Sequence, residues 1–239
     1  MIKIYLLLLT GALSLSAVYS QEKTNLVKLN LFPLTAGNLS IEYERPIAKR
    51  ITVNGTLSWR PQASLPYKSI WESIVEDEEG VLETAKLGAF SMTPEVRFYL
   101  GKKDVFKGFY IAPFIKYSHY NAKLNVSYDD EFGVEKNLPI EGGLNALTGG
   151  FSVGNQWHLS KNLSLDWRII GPNYGFSNGK FESKTNLNSI EQQEIREQLG
   201  DLDLVIVKTE LEVNGDGATL RTKGGFTGIR TALSIGYRF

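Results

Sequence analysis

Few residues of this 239-residue chain are of a type that does chemistry, and their spacing narrows what they could do. The histidines are His119 and His158, and cysteine is absent. That removes disulfides, thiolate metal sites, a cysteine nucleophile and a lipid anchor on an N-terminal cysteine. Two histidines are also too few to suggest a histidine-built metal centre. An esterase would need a serine, a histidine and an orienting acid within hydrogen-bond reach. Ser118 adjoins His119, but neighbours on one strand point to opposite faces, so a dyad would need a serine from another strand. The plainer reading of His119 is a histidine at the rim of the fold, and His158 reads as a solvated turn residue. The acidic run Glu76-Asp77-Glu78-Glu79 lacks the spaced oxygen ligands of a calcium loop and reads as a solvated loop tip. No helix is predicted after Gly142-Gly143 or Gly149-Gly150, so neither is a nucleotide-phosphate fingerprint. No catalytic residue, metal or cofactor is expected from these groups.

The elements that must carry these residues are strands. The clearest is residues 226–239, where Thr227, Ile229, Thr231, Leu233, Ile235, Tyr237 and Phe239 alternate with Gly228, Arg230, Ala232, Ser234, Gly236 and Arg238. A period of two gives a strand with one apolar face and one small, polar face. Seven earlier stretches repeat the pattern. They begin at Leu26, Leu39, Ile51, Ala85, Phe109, Leu147 and Leu163. Pro113 inside the fifth stretch cannot donate to a ladder and predicts a local bulge. The links alternate in length. Those at 46–50, 101–108 and 158–162 are short and fall on one side; those at 61–84, 121–143 and 175–223 are long and fall on the other, where the first link, 33–37, is the short exception. The last long link contains a predicted helix near 188–199 with Ser189 as its cap, and a 202–207 run that could form a hairpin with 210–213.

The N-terminus carries Lys3, an apolar run from Ile4 to Leu9 continued by Ala12, Leu13 and Leu15, then Val18-Tyr19-Ser20. This reads as a secretory signal peptide over residues 1–20, leaving 21–239 as one barrel domain. No later stretch reaches the ~20 apolar residues of a spanning helix. The 26 basic and 26 acidic residues balance, and no basic stripe points to nucleic acid. Hydrophobic residues make up 42% of the chain, an average that a soluble protein and a membrane barrel share, because barrel strands hide apolar residues in alternation.

Alternation alone leaves two barrels open, one with its apolar face on lipid and a lipocalin-like one with that face inside. Small residues on the polar faces (Thr148, Gly150, Ser152, Gly154, Gly228, Ala232, Ser234, Gly236) suit a crowded lumen. Aromatic ends of the apolar faces (Tyr43, Trp59, Tyr117, Trp157, Tyr237) suit interfacial girdles. In that orientation Lys28, Arg97, Lys116, Arg168, Arg230 and Arg238 share the lumen with Glu42, Glu44, Glu95 and Asp166. Buried charges must be paired, so a mixed-sign network is expected. Eight strands leave room only for side chains, so no diffusion pore is expected.

The stretches Asn38-Leu39-Ser40-Ile41-Glu42-Tyr43-Glu44, Pro94-Glu95-Val96-Arg97-Phe98-Tyr99-Leu100 and Gly236-Tyr237-Arg238-Phe239 resemble outer-membrane β-barrels of the OmpA-like transmembrane class. More narrowly, the chain is similar to uncharacterised Gram-negative barrel families without a periplasmic domain, so peptidoglycan binding is not expected. The resemblance implies an eight-stranded antiparallel up-and-down transmembrane barrel with short periplasmic turns, long external loops and a short helix in the last loop. It also implies that Tyr237 and Phe239 form the C-terminal signal read by the barrel-assembly machinery. Outer-membrane lipids and lipopolysaccharide would surround it. The expected role is structural or interactive, through external loops that could bind a surface protein. Alternatives are a lipid A esterase-like enzyme centred on His119, and a soluble ligand-binding barrel.

Overall fold

A chain of strands that alternate apolar and polar residues can bury one face and pair every edge only by closing into a barrel. The computed structural model describes residues 25–69, 81–101, 105–129, 135–200 and 207–239. Its strands are β1 (Leu26–Asn30), β2 (Leu39–Ala48), β3 (Ile51–Ser64), β4 (Lys86–Tyr99), β5 (Gly108–Asp129), β6 (Glu135–His158), β7 (Leu163–Ser183), β8 (Val207–Asn214) and β9 (Gly217–Arg238). A one-turn helix α1 (Val81–Thr84) precedes β4, and α2 (Ser189–Gly200) lies between β7 and β8. Neighbouring strands are antiparallel, and β1 pairs with β9 from Leu26↔Arg238 to Asn30↔Ser234. Strands β1–β7 and β9 thus close an all-β, eight-stranded ring. The ninth strand, β8, stands outside that ring and pairs with the start of β9, from Val207↔Gly224 to Asn214↔Gly217.

Burial along the strands follows the period of two, with the apolar set outside. Leu57 is 54% exposed, Phe151 65% and Ile229 72%, whereas Lys28, Glu42, Glu44 and Arg97 are at most 1% exposed. The polar faces therefore line the interior.

Two features break the simple alternation. In β7 the partner of β9 slips between Arg168 and Gly171, and both Ile169 and Ile170 face outward. This bulge reverses which residues point inward, so Gly171, Asn173 and Ser177 continue the lumen face that Ser164, Asp166 and Arg168 began. Pro113, by contrast, makes no bulge. Met92↔Tyr117 and Phe98↔Ile111 keep one offset on either side of it, and Pro113 pairs with Phe151 in unbroken register. The proline forgoes a ladder hydrogen bond without displacing its neighbours.

Strands β5, β6, β7 and β9 run 22, 24, 21 and 22 residues, while β1 and β2 have 5 and 10. The expected loops at 121–143 and 175–223 are thus largely strand, and they raise one side of the wall into a sheet that β8 widens. Leu138 of β6, Val213 of β8 and Ala218 of β9 pack with Leu187 and Ile195 into a separate small core beneath α2. The cap of α2 is Asn188, not Ser189: its Oδ1 accepts the N–H groups of Ile190 and Glu191, each at 2.9 Å. Glu191 answers by accepting the Asn188 N–H at 2.8 Å, which completes a capping box. The Lys136 Nζ at 2.7 Å from Glu191 and the Arg196 guanidinium at 2.7 Å from the Val213 carbonyl fasten the helix to β6 and β8. The hairpin expected between 202–207 and 210–213 is instead β8 with β9, turning at Gly215-Asp216. Residues 1–20, the acidic run at 76–79 and residues 202–206 lie outside the described residues.

Candidate functional site

The densest chemistry lies inside the ring, where alternate residues of β1, β2, β4, β7 and β9 converge. Lys28 of β1 places Nζ 2.6 Å from Glu44 of β2 and 2.6 Å from Asp166 of β7, with Glu42 at 3.5 Å. Arg97 of β4 is the hub. Its Nε donates to Glu95 at 2.6 Å, and its terminal nitrogens reach Glu42 and Glu44 at 3.2 Å and Asp166 at 2.5 Å. Arg168 of β7 bonds Glu42 at 3.2 Å and Glu95 at 3.3 Å. Arg230 of β9 reaches the other oxygen of Glu95 at 3.2 Å. Four cations thus meet four carboxylates, and the formal charge of the cluster is zero. Apart from Arg97–Glu95 within β4, each of these contacts joins different strands, so the network ties the walls together.

Neutral groups complete the valences. Thr52 and Tyr99 donate to Glu44 at 2.6 and 2.7 Å, Asn54 to Glu42 at 3.1 Å, and Tyr110 to Asp166 at 2.9 Å. The Arg97 guanidinium also stacks on the Tyr110 ring, 4.3 Å from its centroid. That stack needs the glycine opposite Tyr110 in the β5–β6 register: a Cβ at Gly154 would collide with the phenol ring and with the Trp167 carbonyl. Gly236 does the same for Lys28, since a Cβ there would lie 2.8 Å from the Lys28 Cγ. The small lumen residues are clearances for large charged ones. Toward the short turns, Tyr99, Tyr110 and Ala112 pack together with Val105 against them, and Phe106, just before β5, is 2% exposed.

Eight of the ten predicted lumen charges (Lys28, Glu42, Glu44, Glu95, Arg97, Asp166, Arg168 and Arg230) come together in this network, and two do not. Lys116 points inward but sits half-buried nearer the long-link end, with no carboxylate within ion-pair distance among the described residues. Arg238 lies at the short-turn rim, where it donates to the Lys161 carbonyl at 3.3 Å. Alternation gives the face of a residue and not its depth, which is why both were grouped with the rest. The sequence reading did not single out Tyr99, Tyr110, Thr52 and Asn54, although each shares a face with a charged network member on its own or the neighbouring strand. It also passed over Arg60, which bonds the carbonyls of Ala36, Ser64 and Leu87 and so clasps the rim at the long-link end. Tyr237 is 52% and Phe239 50% exposed, and Phe239 exchanges backbone hydrogen bonds with Asn25 at the closing seam.

Of the histidines, His119 faces outward and shares Asn145 Oδ1 with Tyr117, at 2.9 and 2.8 Å. Ser118 is buried on the opposite face. His158 is half-buried, not freely solvated.

No curated protein matches the chain. Among solved structures, the N-terminal β-barrel domain of OprF from Pseudomonas aeruginosa aligns over 91% of this chain and 98% of that one, at 7% identity and a TM-score of 0.29. The translocator domain of the autotransporter NalP from Neisseria meningitidis covers 96% of this chain and 93% of its own, at 10% identity and a TM-score of 0.33. The β domain of the Bordetella autotransporter Brka covers 90% and 98%, at 10% identity and a TM-score of 0.26. A family model spans residues 4–206, most of the chain, and the protein thereby belongs to the family described as proteins of unknown function, DUF3575.

Proposed function

We propose that this protein is a β-barrel of the Gram-negative outer membrane, delivered by a cleaved N-terminal signal. In this reading its lumen is closed by the ion-pair network, and its external sheet and helix α2 are its working surface. The observation that carries the reading is the inverted burial: apolar side chains outside, ion pairs inside. A soluble barrel would place the same alternation the other way, because exposed apolar surface of this extent lowers stability in water and is favourable in lipid. Strand length agrees. About 10 residues carry a strand across a bilayer, so β5, β6, β7 and β9 reach well past it on the side of the long links. In this orientation the 49–50, 101–107 and 159–162 turns are periplasmic, and Tyr237 with Phe239 forms the signal for barrel assembly.

Outer-leaflet lipids and lipopolysaccharide are the proposed surroundings. On the outward wall a groove of 740 Å³ joins the apolar Tyr117, Leu147 and Phe176 to Lys208 and Lys223, which face each other across β8 and β9. Apolar walls below and cations above match acyl chains below and phosphates above. The platform of β8, α2 and the raised strands is the part suited to a protein partner on the surface. The lumen supports no permeation: its ion pairs span the interior, and opening it would strip four carboxylates of their partners.

Membrane fractionation with a permeability assay tests the proposal. The expected result is protein in the outer-membrane fraction, resistant to urea extraction, that forms no steady conductance in planar bilayers. Recovery in the soluble periplasmic fraction would sink the membrane reading, and a stable single-channel current would sink the closed lumen.

A further inference from the structure

The network fills the short-turn half of the lumen but not the other half. Between it and the Arg60 clasp lies a chamber of 230 Å³ whose lining includes Ser40, Thr56, Ser91, Lys116, Arg168 and Arg230. Among the described residues no carboxylate lines it; the four acids of the network point into the network below. Two buried lining residues have polar atoms without a partner, the Arg168 Nε and the Thr56 Oγ1, although these residues are only 2% and 6% exposed. Lys116 adds a cation that the neutral network does not balance. An uncompensated cation beside unsatisfied buried polar groups is costly in an apolar surround, and an anion with several acceptor oxygens would satisfy all of them together.

The chamber also borders the seam. Strand β1 ends at Asn30 opposite Ser234, and one further backbone bond, from the Leu31 N–H to the Leu233 carbonyl at 2.8 Å, follows it. Asn30 and Pro33 line the chamber from one bank of this seam, and Ile229 and Thr231 from the other. Among the described residues no strand joins β9 to β1 between these banks.

We propose that this chamber is an oxyanion site of phosphate class, with Lys116 as its principal cation, open toward the seam between β1 and β9. The phosphate arrives either free or as the headgroup of a lipid that enters sideways from the outer leaflet. The inference adds to the closed-barrel reading and needs only the folded barrel, so it is tested in detergent, where location plays no part.

The experiment is calorimetric titration of the full folded chain in nonionic detergent, with inorganic phosphate and, separately, with short-chain phosphatidic acid. Saturable binding of at least one probe is expected. Lys116→Gln should weaken it about tenfold or more, as loss of a charge-assisted hydrogen bond implies, while Lys116→Arg retains most of it. Lys161→Gln, at the exposed short-turn rim, should leave it unchanged. Heat-modifiable gel mobility establishes that each variant is folded. Phosphatidic acid binding well above inorganic phosphate assigns the lipid source and entry by the seam; equal affinities assign the free ion. Absence of saturable heat with both probes, or undiminished binding by folded Lys116→Gln, would overturn the site. A barrel that fractionates as soluble yet binds phosphate would reject the membrane reading and keep the site.

Discussion

At the scale of single residues, Arg97 is where the barrel is most vulnerable. It contacts four carboxylates, and Glu42, Glu44 and Arg97 are fully buried. Arg97→Leu should lower stability by ~3–5 kcal/mol, because it leaves charges buried without a partner. The readout is the temperature at which the folded gel band converts to the unfolded one. Removing Asp166 as well (Arg97→Leu with Asp166→Leu) should cost less than the sum of the single changes, since the second relieves a charge that the first exposed. A conversion temperature that does not move in Arg97→Leu would show that the network contributes nothing to the fold. Gly154→Val should also destabilise, by ~1–3 kcal/mol, through the clash with Tyr110. These residues were largely legible in the sequence, because a period of two assigns Glu42, Glu95, Arg97 and Asp166 to one face without any coordinates. Depth was not legible. Arg238 shares the face of Arg230 yet falls below the lumen, and Lys116 shares the face of Tyr110 yet falls above the network.

Among the elements, the raised sheet and α2 were the least foreseeable. The bulge at 169–170 of β7 reverses which residues look inward, so a strict alternation ends there although the strand runs on to Ser183. Beyond the apolar band both faces of β5 and β6 become mixed in polarity, which reads as loop until the partner strand is known. The helix was legible from its charged run, but the cap was displaced by one residue because Asn188 and Ser189 are both good caps. The platform has its own core, so it should yield independently of the barrel. Ile195→Ala should destabilise it by ~2–5 kcal/mol and Asn188→Ala by ~0.5–2 kcal/mol. Limited proteolysis of folded protein in vesicles should cleave both variants faster within the 184–216 region, while the conversion temperature of the barrel stays as in the wild type. Simultaneous loss of both would mean that platform and barrel form one cooperative unit.

For the whole molecule, the deciding property is which face meets lipid. Leu57 is exposed, on the apolar side of β3. On a soluble surface Leu57→Arg would change stability by no more than ~0.5 kcal/mol, whereas near the middle of a bilayer it should cost ~2–4 kcal/mol. Unfolding by urea from phospholipid vesicles measures the difference. The most direct measurement uses three of the four tryptophans, with Trp71→Phe removing the fourth, since Trp59, Trp157 and Trp167 all point outward at 56%, 38% and 43% exposure. The folded protein is reconstituted in vesicles whose acyl chains carry bromine, and its emission is compared with that in unbrominated vesicles and under aqueous iodide. The account predicts that bromine removes most of the emission and that iodide removes little. Emission untouched by bromine and strongly quenched by iodide would contradict it.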